Sequence, residues 1–386
     1  MSPTRRPWRT PPVHASGDVR IDGAALRIVS LPLLKPFVIA TGTMTTKTFP
    51  LLTLRGDGIE GLAEGVMDPT PDYLEETLAG AMDFLRDVLL PAVVGTSFGS
   101  PYELERVLTP WRGHRMAKAM LEMAFWDLWS KSHALPLTSV LGGVRDRVEV
   151  GVSLGIAPIE ETLARVDEAV AEGYRRTKLK IRPGHDVALV EAVRARHPGI
   201  TLTVDANAAY GLIDLPVLRA LDACGLDYIE QPLAHDDVLD HVELQATLDT
   251  AICLDESIRS AVDARKALER RAARVINIKV GRVGGHAAAR AVHDVSAAFG
   301  APVWCGGMLE SGIGRAHNIH LATLANFTRP GDTASASRYF ARDIVNETLD
   351  AVRGEMAVPT HGPGIGVTLD EDYLDTVTGH VERFRP

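Results

Sequence analysis

The chain of 386 residues carries 41 lysines and arginines against 50 aspartates and glutamates, a formal charge of −9, and 46 % of it is hydrophobic. Such a length suits about two or three domains, or a large α/β barrel with a smaller partner, and the composition excludes disorder as a description of the whole chain. The acidic balance lacks any basic run interleaved with aromatics, which excludes the footprint of a nucleic-acid binder, and no stretch approaches the ~18 apolar residues of a membrane span.

Residues 1–20 hold Arg5, Arg6 and Arg9 among prolines, with no apolar segment of the kind a signal peptide needs, and are expected to form a flexible tail. From 21 to 145 an α+β domain is expected. Strand-like runs at 25–31, 48–55 and 61–65 are separated by turn signals such as Gly56-Asp57-Gly58. Helical periodicity follows over 71–88 and 116–133, where Met116, Met120, Met123 and Leu128 form an apolar stripe of core-filling type.

After Leu141-Gly142-Gly143 the texture changes to short apolar runs, each followed by an amphipathic helix. Candidate strands are 148–154, 177–181, 201–206, 227–231, 251–255, 275–279, 301–305 and, less clearly, 326–328, with successive starts 24 to 29 residues apart. That beat is one βα unit, and right-handed crossovers make consecutive strands parallel neighbours. Eight units close a barrel, expected over 146–343; an open doubly wound sheet is the alternative, because periodicity cannot see closure. Residues 344–386 break the beat, contain a short helix-like segment at 370–376, and are expected to return to the first domain.

The ends of these strands carry the chemistry, since a barrel places its active site there. The second ends in Lys178-Leu179-Lys180, the third in Asp205-Ala206-Asn207, the fourth in Glu230-Gln231-Pro232, the fifth in Asp255-Glu256-Ser257 and the sixth in Lys279. One acid after a strand is usually a helix cap. Three in register on adjacent strands converge, and clustered carboxylates without His or Cys select a hard cation, Mg²⁺ or Mn²⁺. Residues two apart on a strand share a face, so Lys178 and Lys180 project together, while Lys279 comes from the opposite wall. A substrate between them has an amine on each face, the geometry for removing a proton from one side of a carbon and returning one to the other. The proton in question is one α to a carboxylate, whose removal leaves negative charge that a divalent cation and ammonium groups stabilise.

These segments, with Asn277-Ile278-Lys279, resemble the enolase superfamily in its muconate-lactonizing subgroup. The stretches Gly306-Gly307-Met308-Leu309-Glu310-Ser311-Gly312-Ile313-Gly314-Arg315-Ala316 and Pro330-Gly331-Asp332-Thr333 resemble its N-acylamino acid racemase and o-succinylbenzoate synthase branch. The likeness runs from about Ala25 to Val377. It implies a modified TIM barrel of (β/α)7β type with an α+β capping domain. It further implies that Asp205, Glu230 and Asp255 ligate one divalent cation and that Lys180 and Lys279 are the acid/base pair. Lys178 would meet the substrate carboxylate. Ser153, Asn207, Gly307, Met308 and Leu309 would be further substrate contacts, with Glu256 and Glu310 as supporting groups and Phe37 and Met67 in cap loops over the site.

The implied function is racemisation of N-acyl, especially N-succinyl, amino acids by 1,1-proton transfer, with o-succinylbenzoate synthase activity in the same site. Alternatives are the synthase of menaquinone biosynthesis as the sole role, dipeptide epimerase or muconate cycloisomerase, and a catalytically dead scaffold. Dipeptide epimerases carry an Asp-x-Asp near the eighth strand, where this chain has only Asp332. The expected partner is a small carboxylate substrate, with no nucleic acid or membrane, and the resemblance implies a homo-oligomer, an octamer among the options. Cys224, Cys253 and Cys305 lie far apart with no C-x-x-C pair, which fits a reducing cytoplasm. Cys253 and Cys305 fall in apolar strands and His317 and His320 on a helix, so all four are expected to be structural.

Overall fold

The computed structural model describes residues 17–39 and 42–386, so most of the expected N-terminal tail lies outside the described residues. The N-terminal domain is built on a long hairpin. Strands β1 (Gly23–Ile39) and β2 (Gly42–Gly56) pair antiparallel, and β3 (Ile59–Glu64) joins β2 through the two-residue turn Asp57-Gly58. Both turn residues have positive φ, 50° and 76°, the conformation for which Asp-Gly is favoured in a hairpin. The hairpin extends well beyond the expected strand ends. Pro32 and Pro36 disguise this in sequence, since proline reads as a strand breaker, and here the register slips between Pro32 and Phe37. Helix α1 (Arg115–Ser132) packs across β2 and β3 with Met116, Met120, Met123 and Leu128 buried.

The helix expected from 71 starts instead at Leu78, where the Thr77 hydroxyl accepts the Gly80 N–H at 3.2 Å. Pro69 and Pro71 keep the preceding residues in a bent loop, and that loop carries Tyr73 to the barrel mouth.

The barrel strands are β4 (Val152–Leu154), β5 (Arg176–Lys180), β6 (Thr201–Asp205), β7 (Tyr228–Glu230), β8 (Ala251–Leu254), β9 (Val275–Ile278) and β10 (Val303–Cys305). They form one parallel sheet in sequence order. Helices α2 (Ile159–Ala171), α3 (Val187–Arg196), α4 (Leu215–Asp222), α5 (Leu239–Thr247), α6 (Ala261–Glu269) and α7 (His286–Ala298) connect them, and α8 (Gly312–Leu321) follows the last.

The expected eighth strand at 326–328 is not a regular strand. Single bridges Val303 to Phe327 and Val150 to Gly331 span the gap, with Asp332 N–H donating to Cys305 O at 2.9 Å and Gly151 N–H to Gly331 O at 2.7 Å. Pro330 lacks the N–H a continuous ladder needs. These bonds close the barrel and rule out the open doubly wound sheet.

Inside, the floor is aromatic. Tyr228 stacks on Trp304 with centroids 5.9 Å apart, and Cys253 and Val275 fill around them. Arg176 and Lys178 lie over the Trp304 ring at 5.1 and 4.7 Å. Cys224, Cys253 and Cys305 are all buried free thiols.

Two carboxylates of the N-terminal domain cap barrel helices. Glu122 of α1 accepts the His286 and Ala287 N–H groups at 2.8 and 2.9 Å, at the start of α7. Glu64, at the end of β3, accepts Ser311 N–H at 3.1 Å and Gly314 N–H at 3.0 Å, at the start of α8. Helix N-termini attract such anions. Beyond the barrel, the helix Glu371–Val377, capped by Asp370, leads into β11 (Thr378–Phe384), which pairs antiparallel with β1 and completes the four-stranded sheet. Among the described residues no helix is long and apolar enough to cross a membrane.

Candidate active site

Register places the charged strand ends side by side. Lys180 pairs with Asp205 across β5 and β6, and Asp205 with Glu230 across β6 and β7, while Asp255 follows β8 directly. Asp205, Glu230 and Asp255 are at most 1 % exposed, too deep for surface caps. Lys180 Nζ donates to Asp205 at 2.6 Å and to Asn207 Oδ1 at 2.7 Å. Lys279 Nζ, from the end of β9, donates to Asp255 at 2.7 Å and meets the Tyr73 hydroxyl, which itself donates to Asp255 at 2.8 Å. Lys178 Nζ donates to Glu230 at 2.9 Å and to Asp332 at 2.5 Å. Arg282 contacts Asp255, and Asn277 Nδ2 donates to Glu230 at 2.8 Å.

The electrostatics are unequal. Burial, then repulsion from Asp205, pushes the Glu230 carboxyl above the usual range, and the same two causes raise Glu256. Burial acts on Asp205 as well, but Lys180 and Lys178 override it and hold that carboxyl below the usual range.

The donor set fits a hard divalent cation. It is all oxygen, it retains carboxylate repulsion, and Glu256 Oε2 is buried without a hydrogen-bond partner. Among the described residues no three ligating side chains are drawn together at metal-binding spacing; the lysine ammoniums pair with the carboxylates and offset part of that repulsion.

Three turns at the mouth hold non-glycine residues at positive φ: Asn207 at 43°, Gln231 at 35° and Leu309 at 56°. Such strain persists only where surrounding bonds impose it. Asn207 is fixed by its N–H to Asp205 and its amide to Glu256, and Gln231 by its amide to Ser257 and its carbonyl from Asp255 N–H.

Above the carboxylates lies a cavity of about 350 Å³ between the hairpin tip and the barrel mouth, within the usual range for small-molecule sites. Lys180, Asn207, Lys279, Gly307, Met308 and Leu309 line it, as does Phe37. Lys178 and Glu256 are buried and do not line it, and Glu310 stands behind the wall, accepting the Met308 N–H at 2.8 Å. Two residues fall elsewhere. Ser153 is beside Lys178 in the barrel and does not line the cavity, because the alternation that turns it inward leaves it below the rim. Met67 is fully buried in the apolar core. His317 and His320 are structural: His317 bonds Leu62 O and His286, and His320 bonds Ile365 O.

Tyr73, Arg176 and Arg282 do not stand out in the sequence, and Asn277 and Asp332 do so only as members of family-like stretches without a role in the site. Strand alternation was available for two of them, since Arg176 stands two before Lys178 and Asn277 two before Lys279.

A closed barrel with lysines and carboxylates at its mouth, under a cap that covers the site, defines an enolase-type enzyme. The mandelate racemase / muconate lactonizing enzyme N-terminal domain matches residues 24–142 and the enolase C-terminal domain-like family matches 161–373, and the chain belongs to this family. It is 55 % identical over 361 residues to an N-succinylamino acid racemase of Thermus thermophilus, covering 93 % of this chain and 98 % of that one. It is 46 % identical over 368 residues to the o-succinylbenzoate synthase of Geobacillus stearothermophilus, covering 95 % and 98 %. A solved structure of an enolase superfamily member from Listeria innocua superposes with a TM-score of 0.92 at 40 % identity, over 95 % of this chain and 99 % of that one.

Proposed function

We propose that this chain racemises N-acyl amino acids, N-succinyl ones foremost, by two-lysine proton transfer, and forms o-succinylbenzoate by dehydration in the same site. The observation that carries the reading is the placement of Lys180 and Lys279 in the wall of one cavity, on strands four apart around the barrel, each bonded to a different buried carboxylate. Lys178 would meet the substrate α-carboxylate from below. Lys180 and Lys279 would then face opposite sides of the α-carbon, one taking its proton and the other returning one. In the dehydration, Lys180 would take the proton and pass it to the leaving hydroxyl. A Mg²⁺ or Mn²⁺ ion held by Asp205, Glu230 and Asp255 would supply positive charge against the charge that proton removal leaves on the carboxylate.

Asn207, Gly307, Met308 and Leu309 would contact the substrate, with Glu256 and Glu310 supporting the wall. A free α-amine, as in a dipeptide, finds less support: Asp332, the carboxylate nearest the eighth-strand position, is tied to Arg176 and Lys178. The buried free cysteines support a cytoplasmic setting. A homo-oligomer and a place in menaquinone biosynthesis complete the reading, together with a division into a cap over 21–145, a barrel over 146–343 and a return segment over 344–386.

The test is α-proton exchange in deuterated water with each enantiomer of an N-succinyl amino acid. Exchange is expected with both enantiomers, abolished by chelation and restored by Mg²⁺ or Mn²⁺. Replacing either lysine by Ala should lower racemisation by about 10²- to 10⁴-fold. Each variant should retain exchange with the one enantiomer whose proton faces the remaining lysine. Racemisation within about tenfold of the wild-type rate in either variant would refute the two-base mechanism.

A further inference from the structure

Lys47 is a third lysine in the cavity wall, and the proton transfer does not use it. It sits on β2 opposite Leu31 and two residues before Phe49, both fully buried, so its stem runs along an apolar face. The side chain is 1 % exposed. Among the described residues its Nζ has one partner, Asp68 Oδ1 at 3.1 Å, and Asp68 also lines the cavity, where it is 23 % exposed. An ammonium has three N–H donors, and burying one so poorly satisfied is costly. The nearby wall adds the hydroxyl-bearing Thr45, Thr46 and Thr70.

Lys180 and Lys279 are bonded to carboxylates of the triad and taken up by the proton transfer, whereas Lys47 is bonded only to Asp68, outside the triad, which leaves it as the cation in the described wall able to meet a second anionic group of a ligand. The names of the Thermus and Geobacillus relatives share the succinyl group, and the far end of a succinyl arm is a carboxylate. We propose that Lys47 is a specificity-determining residue that receives the terminal carboxylate of the substrate's acyl arm, with Asp68 holding the ammonium in place until substrate arrives. This deepens the racemase reading and rests on it. A purely structural Lys47–Asp68 pair would tie β2 to the adjoining loop without distinguishing charged from neutral acyl arms.

The experiment compares N-succinylglycine with N-succinamylglycine, which differs only in ending in a neutral amide, by calorimetric binding to the Mg²⁺-loaded protein and by α-proton exchange. The wild type should prefer the carboxylate. Lys47→Met should reduce that preference by about ten- to hundredfold, the scale of a lost charge-assisted hydrogen bond, chiefly through weaker binding of the succinyl compound. Lys47→Arg should retain most of it. Asp68→Asn should increase it, because the ammonium then has no competing counter-charge. Equal binding of both arms by the wild type, or a parallel fall of both in Lys47→Met, would overturn the proposal. Should Lys47→Met fail to fold, an unchanged preference in Asp68→Asn would do the same. Carboxylate preference in binding without any α-proton exchange would leave Lys47 in this role and overturn the racemase reading instead.

Discussion

Asp332 shows what a single residue contributes beneath the site. Its side chain is 8 % exposed and bonds Arg176 at 2.6 Å and Lys178 at 2.5 Å. Burial raises the cost of its charge, but Lys178 and Arg176 more than offset it and hold the carboxyl below the usual range. Removing one partner of such a group leaves buried charge uncompensated, so Asp332→Asn should destabilise the protein by about 3–5 kcal/mol in denaturant unfolding. Wild-type stability in that variant would mean that Glu230 and the Trp304 ring suffice to hold both cations. Alternation on β5 turns Arg176, Lys178 and Lys180 inward together, which local sequence reveals. Their counter-charge comes from a residue 154 positions from Lys178, and no local pattern reports such a pairing.

Helix α8 illustrates how elements transmit position. It follows the wall residues Gly307, Met308 and Leu309, and its N-terminus is held by Glu64 from the other domain. Gly314 permits that approach: a Cβ there would lie 2.8 Å from Glu310 Cβ and 2.9 Å from Glu64 Cδ. Helix propensity favours Ala over Gly by about 1 kcal/mol, whereas overpacking in a rigid core costs about 1–3 kcal/mol. Gly314→Ala should therefore destabilise the protein, and shifting Glu310 should raise KM for N-acyl substrates by displacing Met308. A stabilised variant with unchanged KM would show that this contact is soft. In sequence, Gly306 to Ala316 was recognisable only as a family-like stretch; the clamp is visible once β3 and α8 are brought together.

For the whole molecule, the seam between the domains carries opposed titrations. Burial is the largest cause raising Glu64 to about 7 and Glu122 to about 8, from an ordinary value of 4.5. Their contribution to stability is fully present below pH 4.5 and is lost as pH rises through about 7 to 8. Burial lowers the neighbouring His286, His317 and His320, the last to about 4, from 6.5. Their contribution is present above pH 6.5 and is lost as pH falls towards about 4. Above pH 6.5 only the carboxylate loss remains, so the melting temperature should decline from there to about pH 8.5. A flat melting curve over that interval would show that the helix N-termini keep both carboxylates ionised throughout.

The sequence by itself determined the βα beat, seven of the eight expected strands as regular parallel strands and the charged residues at their ends, because strand alternation and crossover handedness are local rules acting within one unit of about 25 residues. Only the tertiary structure decided barrel closure, which depends on two bridges and a few hydrogen bonds in a segment broken by Pro330. It alone brought Tyr73 to Lys279 across 206 positions, Asp332 to Lys178 across 154 and Glu64 to α8 across about 250. The far end of the hairpin, which brings Phe37 into the cavity wall, lies beyond a register slip at two prolines that local propensity counts against a strand. Contacts between such distant positions follow from how the cap sits on the barrel, and packing of that kind leaves no periodic trace along the chain.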